Sequence, residues 1–320
     1  MLKGRIIKIL KIVLPLGIGV YLSWYFISGL SDEDIQQTKD AFFNANYFWI
    51  FLSLVIAFAG HLSRAYRWLF LLEPLGYKPK LSNSYHAVMS GYILNYTVPR
   101  SGEIARAGLL TQSENVPFEK GFATIVVERL IDVLMLGGVV LITTVLQTNS
   151  DQFEKIMDPG DEGNSMLIWY ILGAGLLMGI AGLIVYLKNE KIKKWVNAKL
   201  LGFWEGIKSV WTMKRKWSFV FHTLFIWATY IGMMWVSALA FEETRNIPVE
   251  AVLAAFVVSA AAIALLPGGM GVYPIWVTAV LSMYDINFAA FGIFVWVSQT
   301  LLILVLGLSS LAILQWRKNS

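Results

Sequence analysis

Arg100, Glu103 and Arg106 stand three residues apart in the run Asn95-Tyr96-Thr97-Val98-Pro99-Arg100-Ser101-Gly102-Glu103-Ile104-Ala105-Arg106. On a helix this spacing puts them one turn apart on a single face. Pro99 and Gly102 interrupt any helix running through the segment, and a new helix N-terminus turns free backbone N–H groups toward an anion. Two guanidinium forks beside such a terminus make a receptor for a phosphate group. The plainer reading is a loop whose charges sit at a polar surface.

A second group lies inside otherwise apolar sequence. Glu128, Arg129 and Asp132 fall in the run 122–147, with Glu128 and Asp132 at i, i+4 on one face. Unpaired charge there is costly, so these acids call for basic partners, and Arg100, Arg106 and Arg64 are the candidates. A purely architectural ion pair would satisfy the same requirement. His61, Arg64 and Arg67 form another stripe at i, i+3, i+6. Arg67, near the end of its apolar run, is expected to reach out to a polar boundary, whereas Arg64 lies deeper. His61, His86 and His222 show no metal-ligand spacing, and no cofactor motif is present.

A third group carries no charge. Pro267-Gly268-Gly269-Met270-Gly271-Val272-Tyr273-Pro274 interrupts an apolar stretch. Its glycines permit positive φ and close backbone approach, so Pro267, Gly268, Gly269, Gly271 and Tyr273 would offer amides and a phenol to a ligand. A simple packing break is the alternative.

The elements that position these groups follow from hydropathy. Apolar residues make up 57% of the 320 positions, and the mean hydropathy is +0.62. Runs near 6–30, 48–72, 122–147, 166–187, 217–240 and 288–314 are each about 20 residues or more, the length of a membrane-crossing helix. The basic start followed by the run Ile6–Leu30 reads as a first transmembrane helix, because the run is too long for a signal peptide and lacks its cleavage pattern. With no cysteine, disulfides and thiolate metal sites are excluded. The net charge of +5 gathers in a few loops, which suits anionic headgroups and shows no nucleic-acid motif.

Loop charge orients the spans. Lys3, Arg5, Lys8 and Lys11, then Lys78 and Lys80, the lysine-rich 188–216 segment, and Arg317 with Lys318 mark cytoplasmic sides. Asp32, Glu33, Asp34 and Asp40, the acidic 148–165 loop, and Glu242, Glu243 and Glu250 mark the outside. Both termini are then cytoplasmic, as in a multi-pass inner-membrane protein. This alternation holds only if the broken stretches 83–110 and 251–284 return to the side they enter from. Irregular backbone at membrane depth is tolerated only around protein or a water-filled cavity, so both tips should face one interior.

The expected fold is an all-α membrane protein with about six full transmembrane helices and two oppositely oriented re-entrant helical hairpins in an inverted repeat. The first repeat is 1–147, with a cytoplasmic-side hairpin at 83–110, and the second is 166–314, with an outside hairpin at 251–284. Pro99 and Pro267 each follow the start of the preceding span by about 50 residues. Paired broken segments of this kind point to a binding site near the midplane. Residues 189–212 interleave Trp195, Trp204 and Trp211 with lysines, the pattern of an amphipathic helix on the cytoplasmic face. A basic connecting loop is the simpler reading.

The chain resembles the lysylphosphatidylglycerol synthase transmembrane region, a flippase-like family. The resemblance rests on Pro99-Arg100-x-Gly102-Glu103-x-x-Arg106, on Glu128-Arg129-x-x-Asp132 and on Leu266-Pro267-Gly268-Gly269-x-Gly271, and it spans about residues 10–315. Members often continue the glycine tip with an acidic residue, and here Val272 stands in its place. The resemblance implies a flippase or scramblase for an anionic or headgroup-modified (aminoacyl- or glyco-) phospholipid or a polyprenyl-phosphate lipid. Arg64, Arg100, Glu103, Arg106, Glu128, Arg129 and Asp132 would serve the substrate, and a homo-oligomer is compatible with the sequence. The rival is a membrane enzyme on a lipid phosphate, either a polyprenyl pyrophosphatase using Ser101 or a glycosyltransferase using Asp32, Glu33 and Asp34. Neither has a complete catalytic constellation, since no base accompanies the serine.

Overall fold

The computed structural model describes residues 2–97, 101–148 and 185–319. The expected span at 166–187, apart from 185–187, and the acidic loop at 148–165, apart from its first residue, lie outside the described residues, as do Pro99 and Arg100. Among the described residues there is helix and no strand.

The chain opens with α1 (Leu2–Ser28) and α2 (Asp32–Asn44), which meet at a bend of 106°. The acidic stretch around Asp32 was expected to be a loop. It folds into a helix because Ser31 and Asp34 form a capping box, each side chain accepting the other's backbone N–H at 3.1 Å. Three acids in the first turn also complement the positive end of the helix dipole.

α3 (Tyr47–Leu72) is capped by Asn46, which accepts from the Phe48 N–H. A helix pair follows, α4 (Leu81–Thr97) and α5 (Ser101–Glu114). The two limbs are pressed together at Gly91 and Gly102. A Cβ on Gly102 would lie 2.1 Å from the Gly91 carbonyl oxygen, so no larger residue fits. Asn95 Oδ1 accepts from the Gly102 N–H at 2.7 Å, tying the end of α4 to the start of α5.

The long α6 (Phe118–Thr148) carries the second charged group. After it come α7 (Glu190–Thr212) and α8 (Lys216–Ala238). A second short pair, α9 (Val249–Leu265) and α10 (Val272–Ser282), is joined through a 3-10 turn at Pro267–Gly269. α11 (Ala289–Asn319) completes the chain. The element order thus repeats twice as long helix, short broken pair, long helix.

Three described helices are long and apolar enough to cross a membrane, at Tyr47–Leu75, Lys216–Ala238 and Ala289–Arg317. The bent pair Val13–Ser28 with Asp32–Asn44 makes a fourth if counted as one span. α3 lies along α8, and α11 along α4. One apolar core joins α8 to α11 through Trp227, Phe256, Val277 and Phe291. The other joins α3 to α6 through Trp68, Phe70, Val88, Leu110 and Ile125. Large apolar side chains such as Val133, Leu141 and Val305 face outward, as lipid-solvated helices require.

Candidate functional site

The charged residues of α3, α5 and α6 converge on one buried network. Glu128, 0% exposed, sits at its centre. Arg106 donates to both of its oxygens, Nη1 to Oε1 and Nη2 to Oε2, each at 2.9 Å. Arg64 Nη1 donates to Oε1 at 2.7 Å. One turn further along α6, Asp132 accepts from Arg64 Nη2 and from Arg67 Nη2, each at 2.9 Å. Arg64 Nε also reaches the Tyr230 hydroxyl at 3.2 Å, and Arg67 Nη1 reaches Thr223 Oγ1 at 3.2 Å, both on α8. The Arg106 guanidinium stacks over Trp68 at 3.9 Å. Each of these buried guanidinium groups has a carboxylate partner at bonding distance.

Arg129 and Glu103 differ from this interior set. They pair at 3.0 Å between Arg129 Nη2 and Glu103 Oε1, with side chains 40% and 23% exposed. Arg129 Nη1 lies 3.6 Å from Asp132, so the pair is the outer edge of the same network. It borders a narrow cleft between α4, α5 and α6, lined by Tyr92, Asn95, Gly102, Glu103, Arg106 and Arg129. The cleft has a volume of about 10 Å³, room for about one water molecule. Glu103 Oε2, Arg106 Nε and Arg129 Nε are buried there without a hydrogen-bond partner among the described residues.

Several expectations change in placement. Arg67, expected at a polar boundary, is fully buried between Asp132 and Thr223. Its i+3 relation to Arg64 carries it around to the same carboxylates. Glu103, which shares a helix face with Arg106 by spacing, pairs with Arg129, because Arg106 is turned toward Glu128. Arg100 lies outside the described residues. The second tip does not join the network. Pro267, Gly269 and Tyr273 are buried in packing around α9 and α10. Gly268, at φ +60°, faces the ring of Tyr96 and accepts from Trp296 Nε1 at 2.8 Å through its carbonyl. Gly271 lies against α1 at Gly19 and Ser23.

The three histidines are engaged in packing. His61 packs tilted against the Tyr92 ring, His86 bonds Ser310, and His222 bonds Ser63. Among the described residues, no group of three or more His, Asp or Glu side chains is arranged to hold a metal ion. Ser101 Oγ donates to the Leu94 carbonyl at 3.1 Å, across the break.

The sequence matches the family described as the lysylphosphatidylglycerol synthase TM region over residues 12–309. The chain belongs to this family. It is therefore a multi-pass membrane protein whose family ties it to membrane lipids. Two curated relatives match shorter stretches of the chain. One is the glycosyltransferase AglD of Haloferax volcanii, 31% identical over 107 residues, which are 32% of this chain and 17% of the relative. The other is the UPF0104 membrane protein MJ1595 of Methanocaldococcus jannaschii, 30% identical over 92 residues, 28% of this chain and 27% of the relative. The chain thus spans less than a third of the length of either. No solved structure matches it.

Sequence reading missed Tyr230, Thr223, Asn95 and Trp68 as supports of the site. Only Asn95 left a signal, an amide-bearing residue placed just ahead of a helix break. Tyr230 and Thr223 sit in an apolar run whose register against α3 is a tertiary fact.

Proposed function

We propose that this chain is a lipid translocase that carries the phosphate-bearing headgroup of an anionic or headgroup-modified phospholipid, or of a polyprenyl-phosphate lipid, past the apolar core while the acyl chains stay in the bilayer. One observation carries the reading. At the edge of a buried and internally paired network, the Glu103–Arg129 pair is partly exposed and borders a narrow cleft between helices of a membrane protein. An ion pair at such an edge can exchange one partner for a phosphate, whereas Arg64, Arg67 and Arg106 already hold carboxylates.

In this reading the two broken pairs are re-entrant hairpins entering from opposite faces. The two halves are inverted repeats in the inner membrane, and both termini are cytoplasmic, as loop charge indicates. Rocking of the halves would expose the cleft to each leaflet in turn. No covalent step is assigned. The Ser101 hydroxyl donates to the Leu94 backbone carbonyl, which gives it a part in closing the helix break. The match to a protein named as a glycosyltransferase covers too little of that protein to carry its chemistry.

Two measurements test the proposal. Single cysteines at 36, 155 and 245 should react with an impermeant reagent from outside, and those at 79, 197 and 318 only after permeabilisation. A cysteine at 101 reacting from outside would replace the hairpins with full crossings. Proteoliposomes should exchange an acyl-labelled phospholipid between leaflets faster than protein-free vesicles. Equal rates would refute translocation.

A further inference from the structure

The three unpartnered atoms at the cleft do not ask for the same thing. Arg106 Nε and Arg129 Nε are donors, and a phosphate oxygen can satisfy donors. Glu103 Oε2 is an acceptor, and a carboxylate oxygen accepts only. A bare phosphate approaching this cleft would meet that carboxylate as a like charge. The one residue in the cleft that repels a phosphate is also the one placed to read what is attached to it. Arg106 is 4% exposed and pinned by Glu128 and Trp68, so its Nε cannot turn elsewhere.

We infer that Glu103 is a specificity-determining residue. It selects lipid headgroups that carry a hydrogen-bond donor, an ammonium N–H or a hydroxyl, next to the phosphate. Arg129 takes the phosphate and Glu103 takes the donor. A headgroup of this kind replaces each half of the Glu103–Arg129 contact by an equivalent one, so the pair opens without stranding either charge. A headgroup without a donor opens the pair and leaves Glu103 unmatched. The closed cleft has a volume of only about 10 Å³, so entry requires this exchange. Arg129, at 40% exposure, is the side chain free to swing.

For transport this rests on the translocase reading; for binding it does not. The test is native mass spectrometry of the full chain in detergent with dihexanoyl lipids of three headgroups. Phosphatidylethanolamine offers N–H donors, phosphatidylglycerol offers hydroxyls, and phosphatidylcholine has neither. The first two should bind about tenfold more tightly than the third. Glu103→Ala should abolish that preference. Glu103→Gln keeps an acceptor oxygen without the charge, so phosphatidylglycerol should hold while phosphatidylethanolamine falls toward phosphatidylcholine. That split separates the two donor sources, and a residue that only supports the fold would not produce it. Equal binding of all three lipids, or a preference that survives Glu103→Ala, would overturn the inference. If the binding preference holds and no lipid exchanges leaflets in proteoliposomes, this inference stands and the translocase reading falls. If lipids exchange without headgroup preference in wild type, translocation stands and selection by Glu103 fails.

Discussion

Between Leu81 and Glu114 one helix pair turns back around Asn95 and Gly102, and between Val249 and Ser282 another turns back around Pro267 and its glycines. The two follow long helices at matching places in the chain, yet they are held by different kinds of contact. The first pair is bound to its neighbours by charge, through Arg106 to Glu128 and Glu103 to Arg129. The second is held by backbone and aromatic contacts, with Trp296 bonding the Gly268 carbonyl and Tyr96 packed on the same glycine. The difference suggests a division of labour. Glu103 Oε2, Arg106 Nε and Arg129 Nε are left without hydrogen-bond partners on the charged side of the first pair, while the second tip presents its glycines to Tyr96 and α1.

Four substitutions probe this contrast. The largest loss is expected for Glu128→Ala, which strands Arg106 in the interior and leaves Arg64 with Asp132 alone. About 3–5 kcal/mol of stability should go, read by thermal unfolding in detergent. A loss below about 1 kcal/mol would mean the network does not hold the first pair. Gly268→Ala comes next. It places a Cβ at φ +60° and 2.1 Å from the Tyr96 ring, for an expected cost of about 1–3 kcal/mol. Tyr96→Ala in the same chain should recover part of it, and no recovery would deny that the tips bear on each other. Trp296→Phe removes one hydrogen bond to the second tip and should cost about 1 kcal/mol with no effect on lipid binding. A binding loss here would bring the second tip into the site. Ser101→Ala should leave lipid exchange unchanged, since that hydroxyl serves the backbone at Leu94. A large loss would revive the enzyme reading.

Much of this contrast was legible in the sequence. Pro and Gly mark both breaks, and each helix pair lies where hydropathy was interrupted. The i, i+4 relation of Glu128 and Asp132 correctly put both acids on one face toward basic partners. What escaped was partner choice. The arginines at 64, 67, 106 and 129 are equivalent by composition, and only the rotation of α3 and α5 about α6 decides which meets which acid. Arg67 shows the cost of reasoning from depth alone. It lies near a span's end, yet α8 covers it with Thr223. The helix at Asp32–Asn44 was hidden for another reason, its acids having been read only as an orientation signal although Ser31 and Asp34 spelled a cap.

The most direct test is a single reconstitution that follows two signals at once. Full-length protein and its Arg129→Ala variant would be placed in vesicles with an acyl-labelled phosphatidylethanolamine and a polyprenyl pyrophosphate. Leaflet exchange and phosphate release are then recorded together. Arg129 is partly exposed, and Asp132 keeps Arg64 and Arg67, so the variant should fold with little loss. The account predicts exchange without phosphate release in the wild type, and loss of exchange in Arg129→Ala. Phosphate release by the wild type, or exchange that persists unchanged in a folded Arg129→Ala protein, would contradict it.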